Sequence, residues 1–237
     1  HLLFPTLLFG TDDLGLAFDI AVHAGTLFAV MYFFRKDLSL MIKSLISKNN
    51  TLKDSRKLAY LLIIATIPIV IAGLLGLDLI ESNRNSIYSI AYMNLIFAGL
   101  LLLAYKYRSA SKSLIELTIL GAIFIGVFQI FALFPGASRS GTAITAALLI
   151  GLNLKDSSRF AFLLAIPTIL GALVFLIGDL ALYQANINGV SLIVGFFTSS
   201  IFAFLTIKYF LIFVEKIGMY PFVIYRVLLG VFILAII

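Results

Sequence analysis

The sequence predicts an all-α membrane protein, a polytopic helix bundle with re-entrant or broken helices and internal structural repeats. Three observations predict it. Of 237 residues, 62% are hydrophobic and only 12% charged, whereas a soluble domain carries about 25% charged residues. Several windows of roughly 18–20 residues are nearly free of charge, the length at which a helix crosses hydrocarbon. The basic residues collect between those windows, so the formal charge of +6 reads as loop bias and no nucleic-acid partner is expected. The length leaves no room for a separate soluble part, and residues 1–237 are expected to form a single integral membrane domain. The sequence holds no cysteine, which excludes disulfides, thiolate catalysis and cysteine-ligated metals from its chemistry. His1 opens the chain without a methionine or a positive leader. No signal peptide is therefore recognised, and the true N-terminus is expected upstream.

The elements follow in order. Residues 16–34, LAFDIAVHAGTLFAVMYFF, make the first predicted span, interrupted by Asp19 and His23. The polar stretch 35–57 carries seven of the 17 Lys and Arg. Further spans are predicted over 59–79, 88–105, 114–134, 160–182, 190–210 and 220–237. Lys and Arg counts orient them: the basic connections 35–57 and 106–113 belong inside, while 81–86 and 184–188 belong outside. The span 114–134 then runs outward and carries Arg139 toward the outer half. The next span begins inside, with Lys155 and Arg159 at its foot. Residues 140–154 must therefore return within a length too short for a full crossing at ~1.5 Å per residue. A re-entrant or broken helix is expected there, lining a cavity or buried in protein. The same count places His1 on the outer side with Arg139.

A repeat is legible in outline. AYLLIIATIPIVIAGLLGLDL, from Ala59, resembles RFAFLLAIPTILGALVFLIGDL, from Arg159, and GTLFAVMYFF, from Gly25, is echoed by SSIFAFLTIKYF, from Ser199. Both Ile-Pro copies start on the basic side, which by itself indicates a parallel repeat. Repeats with interrupted helices frame sites near the membrane interior.

The chemistry concentrates in PGASRSGT, residues 135–142. Pro135 ends the preceding helix. Gly136 and Gly141 permit the backbone conformations and close approach a ligand loop needs. Ser138 and Ser140 add hydroxyls, and the amides of a helix starting near Thr142 favour an anion. Arg139 supplies a planar fork of donors suited to phosphate. Together these residues read as an oxyanion or phosphate cradle. The alternative for Arg139 is a side chain that snorkels to the interface or pairs with a buried carboxylate; a mere packing role predicts that Arg139→Lys is nearly silent. Asp19 and His23 lie four apart on one helix face and form a polar pair. Asp78 and Asp179 end their spans at the interface. Of Glu116 and Gln129, the latter is the better placed to line the cavity.

With PGASRSGT, FDIAVHAGTLFAVMYFFRKDL and YPFVIYR (220–226) on the page, the sequence resembles the undecaprenyl-diphosphate phosphatase family, also known as bacitracin-resistance proteins, over essentially its whole length. The family's first signature is a glutamate-rich helix followed by P-x-S-S-x-G-H, and only its last residue stands here, as His1. The resemblance implies a membrane hydrolase that removes the terminal phosphate of undecaprenyl diphosphate and so recycles the lipid carrier for cell-wall synthesis. It further implies a site facing the outer side of the cytoplasmic membrane, and inverted repeats where the Ile-Pro copies read as parallel. Arg139 would clamp the diphosphate, with Gly136, Ser138, Ser140, Gly141 and Thr142 completing the cradle. His1 would act as nucleophile or general acid–base, the nucleophile being either this histidine or a serine of the missing signature. A divalent cation, magnesium or calcium, is implied, its ligands lying in the missing glutamate segment and none in this chain. The rival reading is a polyprenyl-phosphate carrier or flippase built on the same Arg139 cradle, and a homodimer is left open.

Overall fold

The computed structural model describes residues 15–47, 50–76, 86–109, 111–182 and 189–236, the side chains of 179–182 and 236 excepted. Among them are nine α-helices and no strand: α1 Leu16–Phe33, α2 Arg35–Ile46, α3 Lys53–Leu75, α4 Ile87–Tyr107, α5 Ile119–Gln129, α6 Arg139–Leu149, α7 Leu154–Leu182, α8 Gly189–Ile217 and α9 Tyr220–Ile236. Five helical stretches, Leu16–Phe33, Asn50–Leu75, Ile87–Tyr107, Leu154–Gly178 and Gly189–Ile217, are long and apolar enough to cross a membrane. The chain is a multi-pass, all-α membrane protein. Along α8 the outward side chains Val190, Ile193, Val194, Phe197 and Ile201 are all exposed apolar groups, a face that lipid rather than water satisfies.

Two expectations are corrected. The predicted span 114–134 is no full crossing, because α5 holds 11 residues before a 3-10 turn over Ile130–Leu133. At about 1.5 Å per α-helical residue and 2.0 Å per 3-10 residue the arm reaches ~25 Å, short of a ~30 Å core. The polar stretch after the first span is also more than a loop. It contains α2, whose Met41 and Ser44 are buried while Leu40, Ile42, Leu45 and Ile46 stay exposed.

The chain divides into two compact units. The first runs to Ser55 and resumes over Phe162–Phe210; the second comprises Arg56–Ala161 and Leu211–Ile237. In the first, α1 packs on the first part of α8. Ser200 Oγ lies 3.0 Å from the Gly25 carbonyl oxygen, and Phe28–Phe196 and Tyr32–Phe204 ring contacts extend the seam. The two segments that echo each other in sequence therefore lie side by side. The Ile-Pro motifs fall inside helices, Pro68 in α3 and Pro167 in α7. Within two residues of each proline a threonine hydroxyl donates to a carbonyl four residues back, Thr66 to Leu62 and Thr168 to Leu164.

In the second unit α4 is the central helix, packed against α9 and α6. α5 and α6 form a helical hairpin whose open ends are tied together. The Lys112 amide donates to the Gly151 carbonyl at 3.0 Å, and the Asn153 amide donates to the Lys112 carbonyl at 2.9 Å. The chain thus enters and leaves this hairpin on one side, which is the re-entrant geometry expected of the segment, built from two short arms instead of one full span and one broken helix.

Candidate active site

The hairpin's closed end is the PGASRSGT segment. The Ala137 amide donates to the Phe134 carbonyl at 3.3 Å, with Pro135 and Gly136 between them. Proline followed by a residue of positive φ is the chemistry of a type II turn, and Gly136 has φ 95°. A side chain there would also run into the Ile90 carbonyl of α4, so this position has no room for a Cβ. Ser138 follows at φ 68°, a sense that every other described non-glycine residue avoids. Such a residue costs roughly 1–3 kcal/mol and persists only where its surroundings over-determine it. Ser138 Oγ accepts from the Gly141 amide at 3.2 Å and caps α6. With its oxygen so engaged, its O–H remains a donor for a ligand.

Arg139 is the first residue of α6 and is half-buried. Its position sets a permanent cation at the positive end of a helix, beside the first-turn amides that favour anions. Ser140 is half-buried and Gly141 and Thr142 are buried. The Thr142 hydroxyl donates to the Arg139 carbonyl at 2.8 Å, and the Thr145 hydroxyl donates to the Gly141 carbonyl at 2.7 Å. Thr142 therefore stiffens the first turn of α6 with the donor that the sequence assigns to the cradle.

A second arginine stands behind the loop. Arg226 of α9 is only 5% exposed. Its Nη2 donates to the Gly136 and Ala137 carbonyls at 2.9 and 3.0 Å, and its Nε donates to Asn94 Oδ1 at 2.8 Å. Asn94 Nδ2 returns a bond to the Arg226 carbonyl at 2.8 Å. Sequence reading placed this arginine only in a family-like ending. The signal that singles out Arg139, a charge inside an apolar run, applies equally to Arg226. Its partner Asn94 lies 132 residues away in sequence, and no local pattern announces that pairing.

The other candidates are distributed differently. His1 and Asp78 lie outside the described residues, as does the side chain of Asp179. Asp19 and His23 sit on α1, where His23 Nδ1 lies 2.7 Å from the Asp19 carbonyl oxygen, so the ring engages the backbone. Gln129 is buried at the end of α5, its Nε2 without a partner among the described residues. Glu116 is exposed at the opposite end of the hairpin, where its carboxylate accepts from the Ser113 amide at 2.7 Å. A cleft of about 260 Å³ also opens at that end, lined by Lys112, Glu116, Leu120, Phe124 and Ile150 among others; no residue of PGASRSGT lines it. Among the described residues no three of His, Cys, Asp and Glu converge as a metal set. The groups gathered at the closed end, two guanidiniums and a helix N-terminus, do not fit a cation. They fit an anion.

Residues 1–232 match the family described as Bacitracin resistance protein BacA. The chain is 44% identical over 233 residues to the undecaprenyl-diphosphatase of Alcanivorax borkumensis, covering 98% of this chain and 88% of that protein. It is similarly 44% identical over 231 residues to the undecaprenyl-diphosphatase of Saccharophagus degradans, covering 97% and 87%. Against the undecaprenyl-diphosphatase of Teredinibacter turnerae it is 42% identical over 233 residues, covering 98% and 88%.

Proposed function

The chain belongs to the bacitracin resistance protein BacA family, and from that premise we propose that the α5–α6 turn is the phosphate site of an undecaprenyl-diphosphate phosphatase. The observation that carries the assignment is Arg139 at the first position of α6 in a strained, glycine-dependent turn. A lipid diphosphate brings its negative charge to a site rich in fixed donors. The Arg139 guanidinium and the first-turn amides hold the terminal phosphoryl group, and the Ser138 hydroxyl donates to one of its oxygens. Phosphoryl transfer asks mainly for positioning and for stabilisation of charge on those oxygens. Water's oxygen forms a new bond to the terminal phosphorus while the bridging P–O bond breaks. The products are inorganic phosphate and undecaprenyl phosphate. In that direct displacement His1 takes water's proton; as nucleophile, either His1 or a serine of the upstream signature would first take the phosphoryl group and then yield it to water.

The hairpin supports a location for the site. Its open ends carry Lys112 and Lys155, and basic connections mark the cytoplasmic side. The return arm, the 11 residues of α6, sets the turn about 16 Å from those ends, at about the middle of a ~30 Å hydrocarbon core. The reading is an inner-membrane enzyme whose site opens outward.

Phosphate release from undecaprenyl diphosphate in detergent micelles tests this, using protein expressed from its own full-length gene. Wild type is expected to release phosphate, and Arg139→Ala to lose about 100- to 1,000-fold in rate, the cost of removing one donor from developing charge. Headgroup binding that depends on Arg139 without any release by wild type would favour the carrier instead.

A further inference from the structure

The loop's geometry does not come from the loop alone. Two successive carbonyls, those of Gly136 and Ala137, both turn toward Arg226 Nη2. In a trans peptide the N–H of the next residue points opposite to the carbonyl, and no described peptide bond is cis. With the Ala137 carbonyl drawn to the arginine, the Ser138 amide faces the other way, away from α9. The same pull removes two negative carbonyl dipoles from the face on which an anion would sit. It also holds the chain in the positive φ of Ser138, from which α6 and Arg139 start.

Arg226 is itself fixed. Its Nε and backbone carbonyl both engage Asn94, so the residue is tied to α4 once through its side chain and once through its backbone. Val223, Gly230 and Ile233 are the other buried residues on its face of α9. Its remaining nitrogen, Nη1, is buried without a partner among the described residues and lies 2.7 Å from where a Cβ on Gly141 would stand. A side chain at position 141 would meet the arginine. The recorded partners of Arg226 are neutral, an amide and two carbonyls. A guanidinium so placed keeps its full charge in a medium where that charge is expensive, which is a reason for its presence other than packing.

We propose that Arg226, clamped by Asn94, is a positioning residue of the phosphate loop: it turns the Gly136 and Ala137 carbonyls to the rear, so that the Ser138 amide, the α6 N-terminus and Arg139 face the diphosphate. The proposal rests on the phosphatase reading above. Lysine cannot reproduce it, because a single ammonium cannot reach Asn94 and both carbonyls in one plane.

A double-mutant cycle on kcat/KM for phosphate release tests it, with Arg226→Lys, Arg139→Lys and both together, each checked by thermal unfolding in detergent. Arg226→Lys is expected to lower kcat by about tenfold to 100-fold with KM little changed, as displacement of a catalytic group does. In the Arg139→Lys background the same change should cost less than about threefold, since residues acting through one another are not additive. Should Arg226→Lys fail to fold, Asn94→Ala, which removes the clamp that fixes the guanidinium against the two carbonyls, is put through the same cycle with the same expectation. Full multiplication of the two losses, or a wild-type rate for the folded variant, overturns the proposal while leaving the phosphatase reading intact. An inactive wild type overturns both.

Discussion

The two ends of the α5–α6 hairpin are fastened by different means. At the open end, the ties are made by exposed or part-buried groups. Lys112 forms an isolated β-bridge with Leu152, and Asp156 Oδ2 accepts from the Leu114 amide and from Asn153 Nδ2, each at 2.9 Å. Ser113 and Glu116 close a capping box, and Lys112 Nζ donates to the Ile150 carbonyl at 3.1 Å. Each such bond contributes about 1 kcal/mol, and water can replace it when it breaks. At the closed end the loop is held by a buried guanidinium, a glycine with no space for a side chain and a serine at positive φ. Burying an arginine at membrane depth costs about 3 kcal/mol on the most lenient scale. The open end is fastened without that expense, and a phosphate site at the closed end is the reading that accounts for it.

Substitutions at the two ends should therefore separate activity from stability. The largest effect is expected from Gly136→Ala, which meets both the positive φ and the Ile90 carbonyl. Phosphate release should fall at least tenfold, roughly the scale of a displaced catalytic group, whereas a rate within a factor of two of wild type would mean the turn is not part of the site. A smaller and different effect is expected from Asp156→Ala. It removes two bonds at the open end and should lower stability by about 1–2 kcal/mol, seen as a reduced Tm in detergent, with kcat/KM unchanged in the folded fraction.

The smallest effect concerns Glu116. The Ser113 amide, and then the Ser113 hydroxyl, hold its carboxyl below the usual value of 4.5. A depressed folded-state pKa stabilises the fold above the unfolded value, and that contribution is lost as pH falls through the folded one. Glu116→Ala should accordingly be slightly less stable than wild type at neutral pH. The difference in Tm should close below about pH 4.5; a difference that widened on acidification would refute the assignment.

What the sequence made legible divides along the same line. PGASRSGT carries its own local chemistry: proline and glycine for the turn, serine for the cap, arginine for the anion. The proline, glycine and serine sit where turn and cap require them, and the arginine opens α6. The return of the chain within residues 140–154 was forced by charge counting alone. What escaped sequence reading depends on partners distant in the chain. The apolar run through Phe134 looks like a full crossing because nothing within it reveals that Lys112 will pair with Gly151 across the hairpin. Arg226 needs Asn94, far away on α4, to have a meaning. α2 escaped for another reason, since its three basic residues mask an apolar face only a few residues long.

The central claim is that the closed end of the hairpin reads phosphate through the fork of Arg139. The most direct measurement is kcat/KM for phosphate release from undecaprenyl diphosphate by Arg139→Lys, which keeps the charge and removes only the planar pair of donors. A loss of about tenfold or more at unchanged Tm is predicted. A lysine variant as fast as wild type would show that position 139 supplies charge or packing alone, and would contradict the claim.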